Sequence, residues 1–200
     1  MDEIFSKHNV IIAHCLTANG GAGNPFSTGK NIYERIDNVI AGQLELSCST
    51  ISEKDTLRYL HQTNFFGPVG IILKATNVTY VNSHDGGTIV LQSGTRDYTT
   101  DSSNKPTAAN IEKAILNRPA NSYNEICIKQ YIVFGLFLCF DDKQHLIANI
   151  GSEVLFHQHT SKYKLPYFNL SNGVLYSSLF DPQTNKFHAN GSFTNQEIYI

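Results

Sequence analysis

The chain is poor in charge and has almost none of it clustered. Charged residues fill 16% of its 200 positions, below the roughly one quarter usual for globular domains. The 15 lysines and arginines are scattered and the formal net charge is −2, so no basic stripe is present to neutralise phosphates and no nucleic-acid partner is expected. No apolar run approaches the roughly 18 residues a membrane-spanning helix needs. The most hydrophobic stretch, 131–140, has the length of a core strand, so no membrane partner is expected either. The opening residues, Met1-Asp2-Glu3-Ile4-Phe5, are acidic and hold no signal-like apolar core. This predicts a soluble protein of cytoplasmic type, or one delivered into a host cell by a route without a cleaved signal. Cys15, Cys48, Cys127 and Cys139 show no CxxC spacing and stand in apolar or strand-like surroundings, which predicts buried free thiols in a reducing compartment. Repeats and low-complexity tracts are also missing.

What is present suits one domain with an elaboration: 41% hydrophobic residues supply an ample core. Residues 9–15 read as a strand, followed by a Gly- and Asn-rich loop over 17–29. Ile32, Ile36, Val39 and Ile40 recur at helical spacing, with Gly42 just past the end. Residues 44–50 read as a second strand. Ser52 then caps a helix with Glu53 and Asp55 in its first turn and Leu57 and Leu60 on its buried face. Strands are predicted over 68–74, 78–81 and 88–92, and a polar surface loop over 93–106. Thr107 caps a helix carrying Ile111, Ala114 and Ile115, closed by Pro119. After the long strand that follows Glu125, Asp141-Asp142-Lys143 reads as a turn. Segments 146–150, 154–157, 165–170 and 174–180 read as an antiparallel meander. The expected fold class is α+β, with a core over 1–140 and a β-rich extension packed on it over 141–200.

Tyr123-Asn124-Glu125 opens the apolar run of Ile126, Ile128, Tyr131, Val133, Phe134 and Leu136. Glutamate is depleted from strands and is seldom buried without a partner, so Glu125 either ends a strand in solvent or stands at the mouth of a cleft. Ser122-Tyr123-Asn124-Glu125 ahead of a strand resembles the catalytic-glutamate segment of the ADP-ribosyltransferase superfamily, notably its poly(ADP-ribose) polymerase-like branch. Two further segments resemble that family in the same chain order: His14 ending Val10-Ile11-Ile12-Ala13-His14, and Ser49-Thr50 within Leu46-Ser47-Cys48-Ser49-Thr50-Ile51-Ser52. Residues 66–74 are similar to a central strand of its toxins.

The resemblance implies a split β-sandwich with flanking helices that uses NAD as substrate and transfers ADP-ribose to a protein or small acceptor, as bacterial effectors do. It implies Glu125 as the carboxylate that steadies an oxocarbenium-like transition state, the problem also met in glycoside hydrolysis. It implies His14 on a ribose hydroxyl, and Ser49 and Thr50 bracing the glutamate and lining the nicotinamide pocket. A tyrosine stacked on nicotinamide is to be chosen among Tyr33, Tyr59 and Tyr80. The implied chemistry needs no metal. Cys15 stands where the polymerase-like branch has glycine, and Tyr123 replaces the second acidic or amide residue of arginine-modifying members.

Other readings compete. Cys48, with His84 as base and Asp85 as its orienter, could make a cysteine-dependent deamidase or protease. A non-catalytic binding module using the C-terminal meander is the third. His157-Gln158-His159 would place both imidazoles on one face of a strand, as a metal site requires. Asn19-Gly20-Gly21-Ala22-Gly23-Asn24 lacks the Gly-Lys-Ser/Thr ending of a phosphate loop.

Overall fold

Two 14-residue strands, β3 (Val69–Asn82) and β6 (Glu125–Leu138), form the spine of the protein. They are built from the apolar runs expected of strands and pair antiparallel along their whole length, from Val69 against Leu138 to Asn82 against Glu125. The computed structural model describes residues 1–16, 31–42, 45–52, 67–83, 89–90, 96–97, 104–117, 124–171 and 174–199. The predicted helix after Ser52, the Gly-rich loop, Tyr59 and the His84-Asp85 pair lie outside them.

The elements in chain order are α1 (Asp2–Lys7), β1 (Val10–Leu16), α2 (Ile32–Ile40), β2 (Leu46–Ser52), β3, β4 (Ile89–Val90) and β5 (Arg96–Asp97). Then follow α3 (Ala108–Leu116), β6, α4 (Lys143–Ile150), α5 (Glu153–Thr160), β7 (Tyr167–Ser171), β8 (Val174–Asp181) and β9 (Lys186–Phe193). β4 and β5 pair with each other. The remaining strands form one seven-stranded sheet in the order β2-β1-β3-β6-β7-β8-β9. All its ladders are antiparallel except β6–β7. β2 also pairs with β6, Ser47 lying opposite Cys127, so β1, β2, β3 and β6 close into a ring of ladders. Register shifts between Ile72 and Tyr80 along β3 supply the extra twist that such closure demands.

Strand alternation sorts the apolar side chains onto two faces. Val10, Ile12, Leu46, Ile71 and Ile126 join Ile36 of α2 and Ile111 of α3 in the larger core. Ile11, Ala13, Ile51, Ile72, Phe137 and Leu175 form the smaller one, closed by Ile198 of the short 3-10 turn Asn195–Tyr199.

The mixed α+β class is as expected, but two predicted strands of the extension are helices. Residues 146–150 and 154–157 lie in α4 and α5, and the expected turn at Asp141-Asp142 is a 3-10 turn running into α4. Asp142 caps α4 by accepting from His145 N, and Ser152 caps α5 by accepting from Leu155 N. Residues 141–200 are therefore two short helices followed by three strands, on the same sheet as residues 1–140. Among the described residues no helix is long and apolar enough to cross a membrane.

Candidate functional site

Glu125 is the first residue of β6 and is 3% exposed. Alternation sets it and Cys127 on the face away from Ile126 and Ile128, and Ser47 on the face away from Leu46 and Cys48. The β2–β6 ladder brings these faces together. Ser47 Oγ donates to Glu125 Oε1 at 2.8 Å, and the Cys127 thiol approaches the same oxygen at 3.6 Å. A buried carboxylate is stable only when its oxygens are met by such donors.

His14 reaches the same strand residue from β1. Its Nδ1 donates to the Ser47 carbonyl at 2.8 Å. Since a carbonyl only accepts, this bond fixes the proton on Nδ1 and leaves Nε2 as the imidazole's other functional edge. By alternation His14 belongs to the face of Ile12 and Leu16, whereas Glu125 belongs to the opposite one. The two groups thus meet through Ser47, carbonyl on one side and hydroxyl on the other, and not across one open pocket.

Ser49 and Thr50, expected to touch the dinucleotide and brace the glutamate, turn to Asn124 instead. Ser49 Oγ donates to the Asn124 carbonyl at 2.8 Å, Thr50 N donates to Asn124 Oδ1 at 2.8 Å, and Asn124 Nδ2 donates to Thr50 Oγ1 at 2.6 Å. Asn124 Nδ2 also donates to the Ala114 carbonyl of α3 at 3.2 Å. The residue that holds the carboxylate itself is Ser47, two positions upstream of the pair the sequence reading favoured. Its signal was present, since Ser47 and Ser49 share a strand face and either could have met Glu125.

Of the candidate tyrosines, Tyr80 lies opposite Cys127 on β3, close to Glu125 in the ladder, but is 1% exposed and accepts from Asn82 Nδ2 at 3.2 Å. Its ring is enclosed and offers no free face for stacking in this state. Tyr33 belongs to another contact: its hydroxyl donates to the Ile150 carbonyl and its ring sits 4.7 Å from that of His159. Arg35 on α2 is buried.

The thiol site is not supported by its surroundings. Cys48 is 2% exposed within the larger core. Burial, and next the nearby Cys48 sulfur, push the Tyr131 hydroxyl up to about 12. Cys139 is likewise pushed up to about 11, by burial and then by Asp141. None of the four cysteines is in a disulfide; Cys48, Cys127 and Cys139 are buried, and Cys15 is partly exposed.

The histidine pair proposed for a metal lies on helix α5, where residues two apart point about 200° away from each other. His157 stacks on Phe180, centroids 4.1 Å apart, and His159 Nε2 meets Asp37 Oδ1 of α2 at 2.7 Å. Among the described residues no three His, Cys, Asp or Glu side chains are grouped to hold a metal ion.

A cleft with room for about 50 Å³ opens beside this region, lined by Val81, Asn82, Ser83, Asn104, Lys113 and Ala114, among others. It flanks the Asn124 side, and Glu125 is not part of its lining. Comparison of the chain with protein-family models, curated proteins and solved structures gives no match.

Proposed function

We propose that this protein transfers ADP-ribose from NAD to an acceptor, with Glu125 as the residue that stabilises the transition state. The split β-sandwich of the ADP-ribosyltransferases is part of the same proposal. The observation that carries it is the Ser47 bridge. One residue of the second strand accepts from His14 and donates to Glu125, joining three segments that are 33 and 78 positions apart in the chain.

In this reading the C1′–N bond of NAD breaks with its electron pair leaving on neutral nicotinamide. Positive charge grows on the ribose ring. Glu125 accepts a hydrogen bond from the 2′-hydroxyl and opposes that charge at short range, where low dielectric magnifies the effect. The acceptor's nucleophile then bonds to C1′ and loses its proton; water in its place gives hydrolysis. Ser47 keeps the carboxylate aimed, and its carbonyl, held by His14 Nδ1 on the other side of the strand, fixes the backbone that carries that hydroxyl. Because Glu125 is enclosed in this structure, substrate must displace part of its cover to reach it.

The test is nicotinamide release from labelled NAD, with and without cell lysate as acceptor, by wild type and E125Q. The expected loss in kcat for E125Q is about 100- to 1000-fold, the range for removing one electrostatic contact to a developing charge. A wild type inert toward NAD, or an E125Q variant as active as wild type, overturns the proposal.

A further inference from the structure

We propose that Asn124 is a positioning residue for Glu125, coupling the start of β6 to helix α3. The inference deepens the NAD reading and can be tested apart from it. Asn124 is 0% exposed and polar, and a buried amide survives only if its donors and acceptor are satisfied. Here its side chain serves Thr50 on β2 through both the backbone amide and the hydroxyl, and the Ala114 carbonyl on α3. Its own carbonyl is taken by Ser49. Four hydrogen bonds from two elements therefore fix the backbone of the residue that immediately precedes the carboxylate.

Ala114 lies in the last turn of α3, where carbonyls lack an intrahelical partner and are available to such a donor. The other flank of α3 is tied to the N-terminus, with Glu112 accepting from Lys7 Nζ at 2.7 Å and meeting His8 Nε2 at 2.9 Å. The place of α3 is thus transmitted to Glu125 by one side chain. Removing that side chain frees the Cα of Glu125 to shift, and a misplacement near 1 Å costs a positioned catalytic group about 100-fold.

The experiment uses the full chain with ¹³C-labelled glutamate, the Glu125 Cδ resonance being assigned by its loss in E125Q. Variants N124A, T50V, T50S and S52A are compared by that resonance, by thermal unfolding and by kcat and KM for NAD. Expected are a displaced or split Glu125 resonance in N124A and T50V. Expected too is a fall in kcat of about 10- to 100-fold with KM within about twofold. T50S, which keeps the hydroxyl, should follow wild type, as should S52A. If N124A does not fold, T50V against T50S carries the test. A folded N124A or T50V with the wild-type resonance overturns the positioning role. A displaced resonance in a protein that consumes no NAD upholds it and removes the NAD reading.

Discussion

Ser47 is the residue on which the site turns, and its hydroxyl has a measurable worth. Deleting it in S47A leaves a 3%-exposed carboxylate short of one donor, a change that costs about 1–3 kcal/mol. Urea unfolding should show that loss for S47A and a smaller one for S49A, whose partner is a backbone carbonyl. Nicotinamide release should fall in parallel for S47A. Asp37 offers a second residue-scale prediction. Burial raises its carboxyl, but hydrogen bonds from Tyr163 and His159, with the charges of His159 and Lys162, outweigh this and hold it below the ordinary carboxylate range. A depressed carboxyl stabilises the fold above its unfolded value near 4 and loses that contribution as pH falls through the lower folded value. D37N should therefore flatten the acid limb of a stability-against-pH curve below about pH 4.

Elements show where local pattern speaks and where it does not. The spacing of Ile32, Ile36 and Val39 announces α2, and Gly42 past its end adopts a φ of +75°, which side chains avoid. Thr107 caps α3 as its place before an apolar repeat suggests. α4 and α5 resemble strands in sequence because each is only eight residues long. An apolar cluster such as Leu146, Ile147 and Ile150 looks the same for a short buried helix as for a strand. The decisive signals were the caps Asp142 and Ser152 and the stop at Gly151, where φ is +74°. Site legibility followed the same rule. The core strands' places along the chain and the acidic residue at the head of β6 could be read from the sequence. Which serine meets Glu125 depends on the β2–β6 register, a long-range property that local sequence does not encode. A glycine on β3 ties element to site. A Cβ on Gly70 would lie 2.3 Å from the Phe137 ring and 2.8 Å from the His14 carbonyl. G70A must therefore push β1 outward at the histidine, at a cost of about 1–3 kcal/mol. Chemical-shift mapping should find the largest backbone changes at His14 and Cys15.

At the scale of the whole molecule, the ends of the described chain meet. Tyr199 donates to the Val10 carbonyl and Asn195 Nδ2 to that of Asn9, while Ile198, 1% exposed, completes the smaller core beside Ile11 and Ala13. I198A should cost about 2–5 kcal/mol, read from denaturant midpoints, and should loosen β1, the strand that carries His14. The seven-stranded sheet has a further global property. β2, first in strand order, is bonded on one side to β1 and on the other to β6, so the array terminates in itself there. Its other boundary, β9, keeps amides turned outward, and one of these, on Phe187, is taken by the buried Glu153 carboxylate at 2.8 Å. Unclaimed strand margins are the usual starting points of polymerisation. Within the seven-stranded sheet, among the described residues, β9 is thus the margin on which a fibril could grow, with a helix-borne acid standing guard at its root, and E153A is the substitution that should lower resistance to thermal aggregation.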